Sequence, residues 1–162
     1  MRVRRLVRRG NEEATAAGIY GLIVSGSVMA ASHAHSAAGT ALAVLVTLAV
    51  YWSAERYARL VAERIHDGRR PDRAAVRRQL SGGWEIVTAS VLPLVVLVAL
   101  DLFGVGQFRA VLVALASSTV LLGLAGWEIG HRGGLSTAER IMSAVVAGSF
   151  GVALIALKAA LH

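Results

Sequence analysis

The chain has 162 residues, no cysteine, 17 Lys+Arg against 10 Asp+Glu, and a formal net charge of +7. The lack of cysteine excludes disulfides, thiolate metal sites and thiol catalysis. Hydrophobic residues make up 56% and charged residues 17%, against about half and about a quarter in a soluble domain, and the apolar residues fall in long blocks. The fold class expected is all-α, a polytopic membrane protein built as one integral domain over residues 1–162.

Arg2, Arg4, Arg5, Arg8 and Arg9 precede an apolar segment, Ala14 to Ala31. A basic stretch followed by an apolar one also describes a signal peptide, with Met29-Ala30-Ala31 as its cleavage site. At about 18 residues the segment is long for a leader and close to the spanning minimum, so it reads as a retained first span. Ala17, Gly21 and Ser25 recur every four residues on it. Small residues at that spacing let helices approach closely in lipid, which makes this helix a packed inner element or a contact between copies.

Ser32 to Gly39 reads as a turn carrying His33 and His35. The second span follows at about 40–59. It opens with an uncharged run from Ala41 to Val50, passes Tyr51 and Trp52, and closes in Glu55, Arg56, Tyr57 and Arg59. Gly68 and Pro71 stop it. Asp72 to Leu80 reads as a short amphipathic helix with Ala75, Val76 and Leu80 on one side and Arg73, Arg77 and Arg78 around the other. With Arg69 and Arg70 it would lie on an anionic inner leaflet, within a cytoplasmic segment at 60–83. A third span is expected over 84–102 with Pro93 inside it, tolerated where neighbours satisfy the freed carbonyl. A fourth is expected over 108–129 and a fifth over 137–161, with Ser136 as N-cap and Glu139 at the capping-box position. The turns are read at Phe103–Gln107 and Gly130–Gly134.

Five spans place the N-terminal arginines, the eight from Arg56 to Arg78, and Arg132 and Arg140 on one side, and only Arg109 and Lys158 on the other. The positive-inside rule then sets the N-terminus in the cytoplasm and the C-terminus outside. Trp52, Trp84 and Trp127 mark the inner side, and Phe103 and Phe108 the outer. Arginine in nearly every basic position, with abundant Ala, Val, Gly and Leu, suggests a GC-rich bacterial genome and so a bacterial inner membrane. The basic charge flanks apolar segments, so it reads as membrane orientation and not as a nucleic-acid footprint.

Each span brings a glutamate to the inner interface. Glu13, Glu85 and Glu139 sit at helix N-termini, where the helix dipole favours acids. Glu55 and Glu128 sit at C-termini, where it does not. Their structural explanation is an i,i+4 ion pair, with Arg59 and Arg132 respectively. Their functional one is a cation site or ion path, with Glu13 and Glu85 completing a vestibule. His33 and His35, with Asp101 on the same side, form a second candidate, for a divalent metal. Two histidines in a wet turn are the plain alternative. No cofactor is evident otherwise. Ser117-Ser118-Thr119 is the one mid-span polar cluster, and such hydroxyls commonly bond their own helix. No catalytic motif occurs, so an enzyme is not expected.

Five spans with an inside N-terminus, a large segment between the second and third, glutamates near the inner ends of the first two and a glycine-rich first helix resemble the vacuolar iron transporter family. That resemblance implies a dimer exchanging a divalent metal for protons between two copies of the first helix. This chain departs from the family in having Met29 but no mid-helix acid in its first span, and a basic segment, Arg69 to Arg78, where the family carries glutamates. The reading is a small membrane transporter or channel, for a cation or metal ion, acting as a homo-oligomer. The alternative is a non-transporting module that binds anionic lipid or a protein through Arg69, Arg70, Arg73, Arg77 and Arg78.

Overall fold

The computed structural model describes the backbone of residues 2–34, 36–67 and 84–161, and the side chains of 14–34, 36–62 and 84–161. Among the described residues five helices follow in order: α1 (Arg2–Ala31), α2 (Ala37–Asp67), α3 (Glu85–Leu102), α4 (Gln107–Arg132) and α5 (Thr137–Ala160). No strand occurs among the described residues. Each helix holds a stretch of at least 18 residues apolar enough to cross a bilayer. Helices satisfy all their backbone groups internally, as a lipid environment requires. The described residues are thus all-helical, and their five long apolar helices are compatible with a multi-pass membrane protein. The amphipathic helix expected at Asp72–Leu80 lies outside the described residues.

The helix ends follow local chemistry. α2 starts at Ala37, three residues before the expected Thr40, because Ser36 Oγ accepts the Gly39 N–H at 3.1 Å. Gly39 had suggested a turn; a capped first turn accommodates it. α3 and α4 end alike. Gly104 and Gly134 have φ of +75° and +69°. Val105 N–H donates to Leu100 O at 3.0 Å and Gly104 N–H to Asp101 O at 2.9 Å; Leu135 and Gly134 do the same to Gly130 and His131, both at 3.1 Å. Both are Schellman motifs, with glycine at the left-handed position. α4 runs to Arg132, beyond the expected Ile129, and Gly130 stays helical. A Cβ there would sit 3.0 Å from Arg140 Cα, so glycine serves close packing and not a turn.

The two hairpins differ in what starts the next helix. Ser136 and Glu139 form a full capping box on α5. Gly106 precedes α4 and supplies no side-chain cap.

α1 is the centre of the bundle and packs on all four other helices. The others form an arc in which each lies beside its sequence neighbour, and α5 reaches neither α2 nor α3. Met29, Leu48, Ile86, Leu97, Leu115 and Leu122 are fully buried between them. Small residues set the closest approaches. Gly21 of α1 lies directly on the Ile86 backbone of α3, with no room for a Cβ. Gly126 of α4 meets Ser143 of α5, whose Oγ donates to the Gly126 carbonyl at 2.8 Å. Gly151 of α5 lies against Thr119.

Candidate functional site

The helices alternate in direction, so the bundle has two ends. One collects the α1–α2 and α3–α4 turns and the C-terminus of α5, and is called the lysine end for Lys158. The other carries Trp52, Trp84 and Trp127 and is called the tryptophan end.

At the tryptophan end Glu55 and Glu128 are each paired with an arginine of their own helix. Arg59 donates to Glu55 Oε1 at 2.6 Å, and the Glu55 side chain is 24% exposed. Its second oxygen, Oε2, is buried and accepts no hydrogen bond among the described residues. Arg132 Nε donates to Glu128 Oε1 at 2.7 Å, with the carboxylate about half exposed at 47%. Glu85 is exposed in the first turn of α3, and the Glu13 side chain lies outside the described residues. α2 and α4, which carry Glu55 and Glu128, touch only marginally. No group of three or more His, Asp or Glu side chains able to hold a metal ion forms among the described residues. Trp52 packs on Trp84, ring centroids 5.4 Å apart, next to the buried Arg56.

The expected metal site, His33 and His35 with Asp101, lies partly outside the described residues. His33 is exposed in the α1–α2 turn, His35 lies outside the described residues, and Asp101 is exposed in the last turn of α3. Arg69, Arg70, Arg73, Arg77 and Arg78 also lie outside the described residues. Ser117, Ser118 and Thr119 each donate to a carbonyl of their own helix, at 2.7–3.1 Å. Their hydrogens are therefore not turned to a path. Ala17, Gly21 and Ser25 are all buried, and Gly21 makes the contact with α3.

A polar cluster absent from the expectations above occupies the lysine end. Lys158, in the last turn of α5, is 3% exposed. Its Nζ donates to the Ser32 carbonyl at 2.9 Å, across 126 residues of sequence. Ser32 Oγ lies 3.3 Å from Thr40 Oγ1 and accepts the Ala34 N–H at 3.2 Å. Gln107, the first residue of α4, donates through Nε2 to the Ala34 carbonyl and, at 3.4 Å, to Thr40 Oγ1. Four helix ends are thus tied together by side chains. Beside them is a cavity of about 340 Å³, walled by Ser32, His33, Ala34 and Gln107, by the apolar Phe108 and Val111, and by Lys158.

The charge balance here is one-sided. No carboxylate lies within ion-pair distance of Lys158 among the described residues, and none lines the cavity. Removing an ammonium from water costs several kcal/mol. The carbonyl end of α1 returns about 0.3–1 kcal/mol, and up to ~2 kcal/mol in a partly buried geometry. One charged hydrogen bond adds about 1.5–3 kcal/mol. Among the described residues, two of the three ammonium hydrogens have no protein acceptor. Among the described residues the site thus holds one buried positive charge and no carboxylate. Lys158 had a signal in the sequence: it is the only lysine, set in an apolar span, where an ionisable residue marks function by default. Proximity to the helix end had reduced it to a topology marker. No family model, curated protein or solved structure matches the chain.

Proposed function

We propose that the protein is a small solute transporter of a bacterial inner membrane whose solute site is the cavity beside Lys158. The observation that carries this reading is a buried ammonium lining a cavity in an otherwise apolar bundle. Ionisable groups inside membrane spans are expensive, face cavities and mark solute pathways. The cavity combines apolar wall residues, Phe108 and Val111, with polar ones, Ser32, His33, Gln107 and Lys158, and small-molecule sites likewise pair apolar lining with a few placed polar groups.

The arginine distribution supports the orientation. Arg2 to Arg9 lead into α1 from the tryptophan end, and Arg56, Arg59 and Arg132 lie at the helix ends there, so by the positive-inside rule that end faces the cytoplasm and the cavity opens outward. Self-association belongs to the same reading. Only Gly151 and Lys158 of α5 are fully buried, and its exposed apolar residues Ile141, Met142, Val145, Val146, Phe150 and Val152 are left to meet lipid or a second copy.

The test is flux into proteoliposomes, with labelled phosphate, chloride, a small carboxylate and a rubidium tracer as separate solutes. Saturable uptake of at least one, abolished by Lys158→Met and retained in Glu55→Gln and Glu128→Gln, is the expected result. Absence of uptake for all four removes the transport reading. Uptake lost in the glutamate variants but kept in Lys158→Met returns the site to the tryptophan end.

A further inference from the structure

We propose that the cavity at the lysine end binds an oxyanion, the phosphate or carboxylate group of a small solute or of a lipid headgroup, with Lys158 as its counter-ion. This names the ligand class of the site and so rests on the transporter reading for its role, though not for its chemistry.

Lys158 is 3% exposed, has one protein acceptor among the described residues and lines a cavity of about 340 Å³. A cation entering that cavity would meet the ammonium with no acid in the wall to screen it. An oxyanion would supply acceptors for the two remaining ammonium hydrogens, and charge-assisted bonds of this kind are the strong ones.

The start of α4 adds to this. Its first two residues, Gln107 and Phe108, line the cavity, and Gly106 gives the helix no side-chain cap. The equivalent position after the other Schellman turn holds Ser136 and Glu139, whose carboxylate accepts the Ser136 N–H at 2.8 Å. One hairpin thus carries its own anion at the helix start; the other has a cavity there. Helix N-termini favour negative charge. Phe108 and Val111 supply an apolar wall that suits a short alkyl group or the glycerol end of a lipid. The volume lies at the lower end of the range of about 300–1,000 Å³ typical of small-molecule sites.

The experiment is calorimetric titration of the purified protein with inorganic phosphate, in phosphatidylcholine nanodiscs and again in nanodiscs enriched in phosphatidylglycerol. Saturable phosphate binding in phosphatidylcholine is expected. It should weaken about 10–100-fold in Lys158→Met, the loss of one charged hydrogen-bonding partner, and persist in Lys158→Arg. Phosphatidylglycerol that competes with phosphate, and ceases to do so in Lys158→Met, identifies a headgroup source; no competition identifies a free solute. Absence of both phosphate binding and phosphatidylglycerol enrichment in the unmodified protein overturns the inference, whether or not the variants fold. So does equal binding by Lys158→Met. Phosphate bound without flux of any solute removes transport and leaves this site standing. Rubidium flux with no anion bound does the reverse.

Discussion

Gly18 and Gly21 lie one turn apart on α1, and the same substitution at each is predicted to act with opposite sign. A Cβ on Gly18 would meet Ala89 Cβ at 3.7 Å, an ordinary contact. A Cβ on Gly21 would overlap the Ile86 carbonyl and sit 2.9 Å from Ile86 Cα, about 0.5 Å inside the 3.4 Å at which ordinary contact begins. Ile86 backbone cannot rotate away as a side chain would, so α1 and α3 must separate. The separation also stretches the bond from Ser90 Oγ to the Gly21 carbonyl, now 3.1 Å and buried. Replacing glycine by alanine inside a helix contributes roughly 0.5–1 kcal/mol of stability. Overpacking costs about 1–3 kcal/mol, and a weakened buried hydrogen bond about 1 kcal/mol. Gly18→Ala is therefore expected to raise stability slightly and Gly21→Ala to lower it by about 1–3 kcal/mol net. Thermal unfolding in one detergent reads both, at about 2–4 °C per kcal/mol for a chain of this size. Gly148→Ala, whose Cβ would meet nothing within 4 Å, is the control with open space for a methyl group. Equal midpoints for Gly18→Ala and Gly21→Ala would refute the α1–α3 packing described above.

Four further outcomes are expected. Gly104→Ala and Gly134→Ala, both at left-handed φ, should each cost about 1–2 kcal/mol in thermal unfolding. Ser136→Ala should cost about 1 kcal/mol and speed amide hydrogen exchange in the first turn of α5, because the capping box is lost. Glu55→Gln should change stability by no more than about 1 kcal/mol, since its pair with Arg59 is partly solvated; a larger loss in the melting curve would give Glu55 a structural weight its single ion pair does not explain. Lys158→Met should not lower the unfolding midpoint, because replacing a buried charge by an apolar group of similar volume removes its desolvation cost, while solute uptake disappears.

The five spans were legible because each is a run of apolar residues closed by arginine, glycine or proline, and hydropathy reports directly on the solvent a segment prefers. Gly104 and Gly134 mark helix ends in the sequence for the same local reason: a left-handed position favours glycine. Ser136 and Glu139 were legible because a capping box is contained within four residues. Gly130 was read as a turn residue although it is a packing residue, and nothing within α4 distinguishes the two roles. The difference lies in Arg140, on another helix. Lys158 shows the same limit more strongly. Its partner is the carbonyl of Ser32 and its cavity is completed by the first turn of α4. No spacing rule joins those three places, since they meet only once α1, α4 and α5 are packed. The glutamates stood out instead because the helix dipole is a one-dimensional property that can be read residue by residue.

The claim on which this account depends is that the cavity beside Lys158 is open to water and holds a solute. Val111 lines it, yet is only 2% exposed, so a reagent reaches that position through the cavity. The chain has no cysteine, which makes the Val111→Cys thiol unique. The direct measurement is its rate of modification by a small, membrane-impermeant methanethiosulfonate added to either side of sealed vesicles, with Leu122→Cys, buried away from the cavity, as control. The account predicts reaction from the side opposite the N-terminus, slowed by phosphate, and none at Leu122→Cys. A Val111→Cys thiol that is inert from both sides, or that reacts at the same rate with and without phosphate, would contradict it.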